Sequence, residues 1–194
     1  EGDMGGKRLS PRGGGLGLSA KMDVSKGSMP EIHNKREGDM GDEELRQCVL
    51  DMETWLASNA GGAGADFAGA AAAGKEQLEG LPPSAPPALK GLLGIHDGKL
   101  PLLDFVGLSC AEISSESSAA KASGKWQDGY VPIAKNPDGD LLVVCGTGVH
   151  RWDAELGLGS VEANSLSSHL EQYRNMMMQG KLEYVDECGI MEVA

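Results

Sequence analysis

Three short apolar segments separated by turn sequences place the strongest constraint on what this chain can fold into. The first two are rich in Val, Leu and Ile, and the third ends in Trp. The first connection contains an Asp-Gly pair and the second is Gly-Thr-Gly, and connections of this kind join antiparallel neighbours. The sequence therefore predicts an antiparallel meander of three strands at residues 130–134, 141–145 and 149–152.

Helical periodicity is present on both sides of this meander. Two stretches carry apolar residues at spacings of four, three and four, which is the pattern of one helix face. They are built on Leu45, Val49, Met52 and Leu56, and on Leu166, Leu170, Tyr173 and Met177. Shorter helices are predicted after the Pro-rich residues 81–87 and over residues 110–120. The predicted fold class is α+β, with a mostly antiparallel central sheet flanked by helices.

The helices and the meander are expected to share one hydrophobic core. The apolar faces of the helices need a partner, and the inner face of the meander can supply it. Trp152 is expected to be buried there. The predicted members of this core are Leu89, Leu92, Val143, Trp152, Leu166, Leu170 and Tyr173.

Two Gly-rich stretches differ from the rest of the chain. Residues 1–41 hold ten Gly and almost no periodic apolar pattern, so they predict a disordered or extended N-terminal arm. Residues 42–194 are then the folded domain. Within it, residues 60–74 hold eight Ala and five Gly, which predicts a flexible insertion.

The charge distribution excludes one class of partner. The formal net charge is −12, and residues 1–40 carry seven basic and six acidic side chains, so the remaining 154 residues carry a net charge of −13. A surface this negative repels phosphate backbones, and we expect no nucleic-acid partner. No run approaches 18 uninterrupted apolar residues, so we also expect no membrane span.

The residues that usually carry chemistry lack the required context. The four Cys are far apart in sequence, so they predict ordinary buried thiols, and the four His stand in no nucleophile motif. Asn136, Asp138 and Asp140 recur at alternate positions but lack the closing Glu of a calcium loop, which favours a turn. We predict no catalytic residue, no cofactor-binding residue and no metal ligand, and the chain is expected not to be an enzyme.

The candidate partner-binding residues are apolar side chains in unusual settings. Met176–Met178 form a run near the end of the last predicted helix, and only one of three consecutive helical positions can fully face a core. The others are expected to offer an adaptable apolar contact, although packing against the C-terminal tail is the alternative. Leu16 and Leu18 in the arm are expected to contact other chains. The four predicted partner-binding residues are Leu16, Leu18, Met176 and Met178.

The order of the motifs in residues 43–184 resembles the Smi1/Knr4 family, also called the SUKH superfamily. After an entry helix come a Leu-Pro helix with an Asp-Gly turn, a Tyr strand with Pro and Ile, a Gly-Asp strand start, a Val-x-x-Trp strand and a Ser-led helix. Here they lie at residues 81–98, 130–134, 139–142, 149–152 and 165–178. The resemblance implies an α+β interaction module, as in bacterial immunity proteins and fungal cell-wall regulators, and it supplies no catalytic residues.

These observations lead to two functional expectations. The first is a non-catalytic scaffold or accessory subunit that joins protein subunits of a larger complex, such as a ciliary, organellar or ribosome-like assembly. The alternative is an accessory subunit that recruits substrate for a modifying enzyme complex, because a domain similar to this family occurs in an accessory subunit of tubulin polyglutamylase. Both expectations require a protein partner, and the expected location is intracellular.

Overall fold

The computed structural model describes residues 40–186 and 188–193, and these form six helices and eight strands. The helices are α1 (Asp42–Asn59), α2 (Gly61–Ala68), α3 (Lys75–Glu79), α4 (Pro87–Leu93), α5 (Cys110–Lys121) and α6 (Leu166–Met178). The strands are β1 (Pro101–Leu102), β2 (Phe105–Gly107), β3 (Val131–Lys135), β4 (Leu141–Cys145), β5 (Gly148–Asp153), β6 (Gly157–Ala163), β7 (Leu182–Val185) and β8 (Gly189–Glu192). The predicted arm, residues 1–41, lies almost entirely outside the described residues.

The central sheet is antiparallel throughout, and its strands follow one another in the order β1 to β6. The predicted meander is β3, β4 and β5, and the Gly-Thr-Gly sequence forms a tight turn in which Cys145 pairs with Gly148. The sheet has three strands besides this meander: β1 and β2 lie beyond β3, and β6 lies beyond β5. The α+β fold class with flanking helices is confirmed.

The predicted single core is wrong, because the apolar residues of the sheet lie on both of its faces. Successive side chains of a strand point to opposite faces. Along β4, Leu142 and Val144 belong to a large cluster with α1, α4 and α6, whereas Leu141 and Val143 belong to a smaller one. Trp152 is buried in the smaller cluster, with Val143, and not with the helical residues Leu89, Leu92, Leu166, Leu170 and Tyr173.

The predicted flexible insertion is also wrong, because residues 61–68 form α2 and pack against the core. Phe67 is completely buried, and so is Ala60 just before the helix. Gly64 lies against α1 so closely that a Cβ atom there would be 2.5 Å from the carbonyl oxygen of Leu56. The small residues of this stretch therefore allow two helices to approach each other, and Phe67 anchors the second one.

The C-terminal strands form a separate two-stranded sheet. Leu182 of β7 and Ile190 of β8 are buried in the large cluster, so one face of this hairpin is covered. The N–H of Lys181 donates to the carbonyl of Met176 at 3.0 Å, and the N–H of Val193 donates to the carbonyl of Lys181 at 2.8 Å. The first bond holds the start of the hairpin to the end of α6, and the second joins the two ends of the hairpin to each other.

Candidate functional site

The predicted partner-binding residues divide into three groups in the structure. Leu16 and Leu18 lie outside the described residues. Met176 is half-buried and packs against the large cluster, while Met177 between the two candidates is buried in it. Met178 is 52% exposed at the last position of α6. Of the predicted contacts in the Met run, Met178 is the one with a largely free side chain.

The C-terminal hairpin adds apolar side chains that the sequence analysis did not identify. Residues paired directly across antiparallel strands share a face, and alternate residues of one strand do too. Met191 pairs with Glu183, and Val185 pairs with Gly189, on the face opposite the buried Leu182 and Ile190. Val185, Met191 and Val193 are exposed on the hairpin, and Met178 is exposed at the end of α6, shortly before the hairpin in the chain. We call these four residues the C-terminal patch.

The charged side chains around the C-terminal patch are mostly acidic. Glu183 lies directly across from Met191, and Asp186 follows β7 at the turn. Glu192 pairs with Leu182 and so lies on the other face of the hairpin, and Lys181 supplies a positive charge at the start of the hairpin. All four are exposed. The patch is therefore an apolar surface in a negative field.

A thiol, a hydroxyl and an imidazole lie close together at the β4–β5 turn. They are on the face of the sheet that carries the smaller cluster. Thr147 Oγ1 is 3.2 Å from Cys145 Sγ and 2.9 Å from His150 Nε2. His150 Nδ1 is 3.1 Å from the carbonyl oxygen of Gly159. We call Cys145, Thr147 and His150 the relay triad.

The hydrogen-bond partners indicate which atom of the relay triad donates in each bond when the imidazole is neutral. A carbonyl oxygen can only accept, so His150 Nδ1 carries the hydrogen that is shared with Gly159. In the neutral ring Nε2 must then accept, and Thr147 donates its one hydroxyl hydrogen to it. The remaining lone pairs of Thr147 Oγ1 accept from the Cys145 thiol. The three side chains therefore form one directed chain of hydrogen bonds from sulfur to imidazole.

The local register explains why the ring of His150 can reach Gly159. The pairing of β5 with β6 shifts between Val149 and His150 and again between His150 and Trp152. Such irregularities leave backbone groups unpaired and redirect side chains. The carbonyl of Gly159 lies in the second irregular stretch, where the imidazole is its partner. His150 itself is only 5% exposed.

An aromatic cluster lies on the same face as the relay triad. Trp126 makes edge-on contacts with Tyr130 at 5.5 Å and with Trp152 at 5.3 Å between ring centroids. Burial, followed by the proximity of Cys145, raises the pKa of the Tyr130 hydroxyl. The indole N–H of Trp152 is buried and has no hydrogen-bond partner among the described residues. Tyr130 thus keeps its proton next to the sulfur of the triad.

The four thiols are not all buried, contrary to the prediction. Cys48 and Cys110 are buried, and burial raises the pKa of each thiol to about 11. Cys145 is half-buried and Cys188 is exposed. The two inner thiols are therefore protonated and inaccessible, and the two outer ones can meet reagents in solution.

The other His residues that the structure describes, His96 and His169, lie among packed side chains. His96 contacts the ring of Phe67 at 4.5 Å, and its Nδ1 donates to the carbonyl of Ala70 at 3.0 Å. Its Nε2 lies 3.6 Å from the carboxylate of Glu53 on α1. Burial lowers the pKa of His169. His96 thus ties the end of α4 to the segment after α2 through Ala70, and His33 lies outside the described residues.

The acidic turn is confirmed as a turn. Asn136 Oδ1 accepts from the backbone N–H of Asp140 at 2.8 Å, so this oxygen closes the β3–β4 connection. Within residues 40–186 and 188–193, no group of three or more His, Cys, Asp or Glu side chains is placed to hold a metal ion. No helix in that part of the chain is long and apolar enough to cross a membrane.

Sequence reasoning missed the relay triad because no local motif marks it. Its members are two and three residues apart, and a hydroxyl between a thiol and an imidazole becomes visible only when the turn is known to bring them together. The signal available was the short Gly-Thr-Gly connection, with Cys before it and His after it. In comparisons with known proteins, neither a protein-family model nor a curated protein sequence matches this chain.

Proposed function

We propose that this chain is a non-catalytic interaction module that acts as a scaffold or accessory subunit and binds a protein partner through the C-terminal patch. The observation that carries the proposal is the outward face of the β7–β8 hairpin. Met191 is 45% exposed and Val193 is 48% exposed, although the opposite face of the same hairpin is buried. Two-stranded sheets are marginal alone, so the buried face holds the hairpin in place while the outer face stays available.

The chemistry of the patch defines the partner. Apolar side chains gain about 25 cal/mol for each Å² removed from water, so a partner needs a complementary apolar strip. The adjoining carboxylates of Glu183 and Asp186 favour Lys or Arg at the rim of that partner. The net charge of −13 outside the first 40 residues acts in the same direction over a longer range. We therefore propose that the partner presents a basic protein surface with an apolar centre.

The flexible thioether side chains suit such an interface. Methionine is unbranched and polarizable, so Met178 and Met191 can adjust to the shape of a partner. The resemblance to Smi1/Knr4 domains supports the same role, because that family consists of interaction modules. In this role the chain is one of the protein subunits of a larger complex, and the role requires no catalytic residue.

The test is a comparison of near-isosteric variants of the full chain. The double variant Met191→Gln and Val193→Thr removes apolar contact without changing charge, and Leu156→Gln is its control, because Leu156 is 85% exposed in the β5–β6 turn. We expect the double variant to bind its partner roughly tenfold more weakly, whereas the control binds normally. Quantitative mass spectrometry of native pull-downs measures the loss.

The identity of the retained proteins makes the test decisive. Basic proteins held by the wild type and by Leu156→Gln, and lost from the double variant, support the proposal. Their retention should also fall as salt is raised, since the rim contacts are between charges near the surface. Equal retention by all three chains, with unchanged thermal melts, contradicts the proposal and removes the C-terminal patch as the binding surface.

A further inference from the structure

The relay triad lies on the central sheet and has no part in the proposed partner surface. We propose that Cys145 is a redox modification site, at which the thiol exchanges with small disulfides while His150 takes up its proton through Thr147. The inference is independent of the interaction role. It rests on three side chains and one backbone carbonyl whose contacts are all within hydrogen-bonding distance.

The geometry accommodates the triad before and after proton transfer. Before transfer, the thiol donates to Thr147 Oγ1 and the hydroxyl donates to His150 Nε2. After transfer, Nε2–H donates to the same oxygen and the hydroxyl donates to the thiolate. Every group keeps its hydrogen bond in both states, and His150 Nδ1 keeps its bond to Gly159. Two short proton shifts therefore create a thiolate without moving a heavy atom.

The hydrogen bond to the carbonyl of Gly159 orients the imidazole of His150 as a proton acceptor. The bond to Gly159 fixes the tautomer whose Nε2 is the acceptor, which is how a general base is oriented next to a nucleophile. His150 is buried in the sheet, whereas Thr147 is exposed at the turn. Cys145 itself is half-buried, so its sulfur is partly open to solvent while the base is enclosed by the protein.

The environment of the sulfur indicates which disulfides fit. Val131 pairs with Val144 in antiparallel register, so the preceding Tyr130 lies across from Cys145, and Tyr130 contacts Trp126. This wall is uncharged, and the chain as a whole is acidic, so anionic disulfides are repelled. Small neutral disulfides with an apolar body are the expected class.

The exchange step balances as follows. The Cys145 sulfur attacks one sulfur of the reagent, a new S–S bond forms, and the S–S bond of the reagent breaks with both of its electrons going to the leaving thiolate. Cys145 is oxidised to a mixed disulfide and the released half of the reagent is reduced to a thiol. The proton left on His150 returns to solvent, and the leaving thiolate takes a proton from solvent.

The probe is bis(2-hydroxyethyl) disulfide, which is small and neutral, and the measurement is the rate of mixed-disulfide formation at each thiol by mass spectrometry. Cys188, which is exposed and outside the triad, is the internal reference in every sample. We expect Thr147→Val to lower the Cys145 rate by roughly tenfold relative to Cys188, because the base can no longer reach the sulfur. Thr147→Ser keeps a hydroxyl and is expected to restore most of the rate.

Thr147 is exposed at the turn and Val has the same shape, so neither variant depends on repacking a core. His150→Gln is a second arm, expected to slow Cys145 as Thr147→Val does. Overlapping circular dichroism spectra and thermal melts identify the variants that remain folded. Equal Cys145 rates in the wild type and in folded Thr147→Val overturn the proposal. So does a Thr147→Ser protein that is as slow as Thr147→Val, because the hydroxyl is then not the path of the proton.

Discussion

Replacing Gly64 with Ala is expected to lower the free energy of unfolding by roughly 3 kcal/mol. A Cβ atom at this position would be 2.5 Å from the carbonyl oxygen and 2.7 Å from the carbonyl carbon of Leu56. The obstacle is the backbone of α1, which cannot rotate away as a flexible side chain can. Relieving the clash would separate α1 from α2 and loosen Phe67, whose ring is completely buried.

The matched control lies two residues earlier in the same helix. A Cβ atom at Gly62 would meet nothing within 4 Å, so Gly62→Ala changes only the local helix preference. Alanine is favoured over glycine in a helix by about 1 kcal/mol, and we expect this variant to be neutral or slightly more stable. Urea unfolding followed by circular dichroism measures both. If both variants have the stability of the wild type, α2 does not pack on α1 as described.

Replacing Trp152 with Ala is expected to lower the free energy of unfolding by about 3–5 kcal/mol. The ring is 3% exposed and fills the smaller cluster together with Leu141, Val143 and Trp126. Its removal leaves a cavity on a face of the sheet where few large side chains can move in. The measurement is again urea unfolding, and a loss below about 1 kcal/mol contradicts a structural role for this ring.

Trp152→Phe separates the contribution of ring volume from that of the indole N–H. The buried N–H has no partner among the described residues, so it carries a desolvation cost that phenylalanine lacks. We expect Trp152→Phe to lose clearly less stability than Trp152→Ala. Equal losses would mean that the edge-on contact with Trp126, rather than the filled volume, is what stabilises the cluster.

The elements with strong periodicity could be predicted from the sequence. The helix α1 and the helix α6 have apolar residues at helical spacing, and the meander has apolar runs bounded by Gly-containing turns. The strand β6 was not predicted, because its Gly-Leu-Gly-Ser-Val-Glu-Ala sequence is mostly exposed and it becomes a strand by pairing with β5. Pairing across a sheet is information that a local pattern does not contain.

The incorrect predictions have physical reasons of the same kind. A continuous apolar run such as β4 is buried on both faces, and nothing in the run says that two different clusters cover those faces. Ala and Gly in residues 60–74 suggested flexibility, but small residues also permit close helix contact, and the one buried Phe67 was the sign of it. The members of the relay triad could be connected only once the geometry of the β4–β5 turn was known, because that turn brings the three side chains together.

The contact between α1 and α6 has a consequence for the synthesis of the protein. The thiol of Cys48 donates to the carbonyl of Leu170, 122 residues later in the chain. A ribosome adds residues at about 5–20 per second, so the part of the α1 surface that packs under α6 waits on the order of ten seconds for that helix, whereas α2 follows α1 directly. During that interval the apolar side chains of α1 that pack under α6 remain uncovered in the nascent chain, and exposed apolar side chains are the kind of surface that chaperones shield. The meander, whose partners are made in immediate succession, does not have this delay.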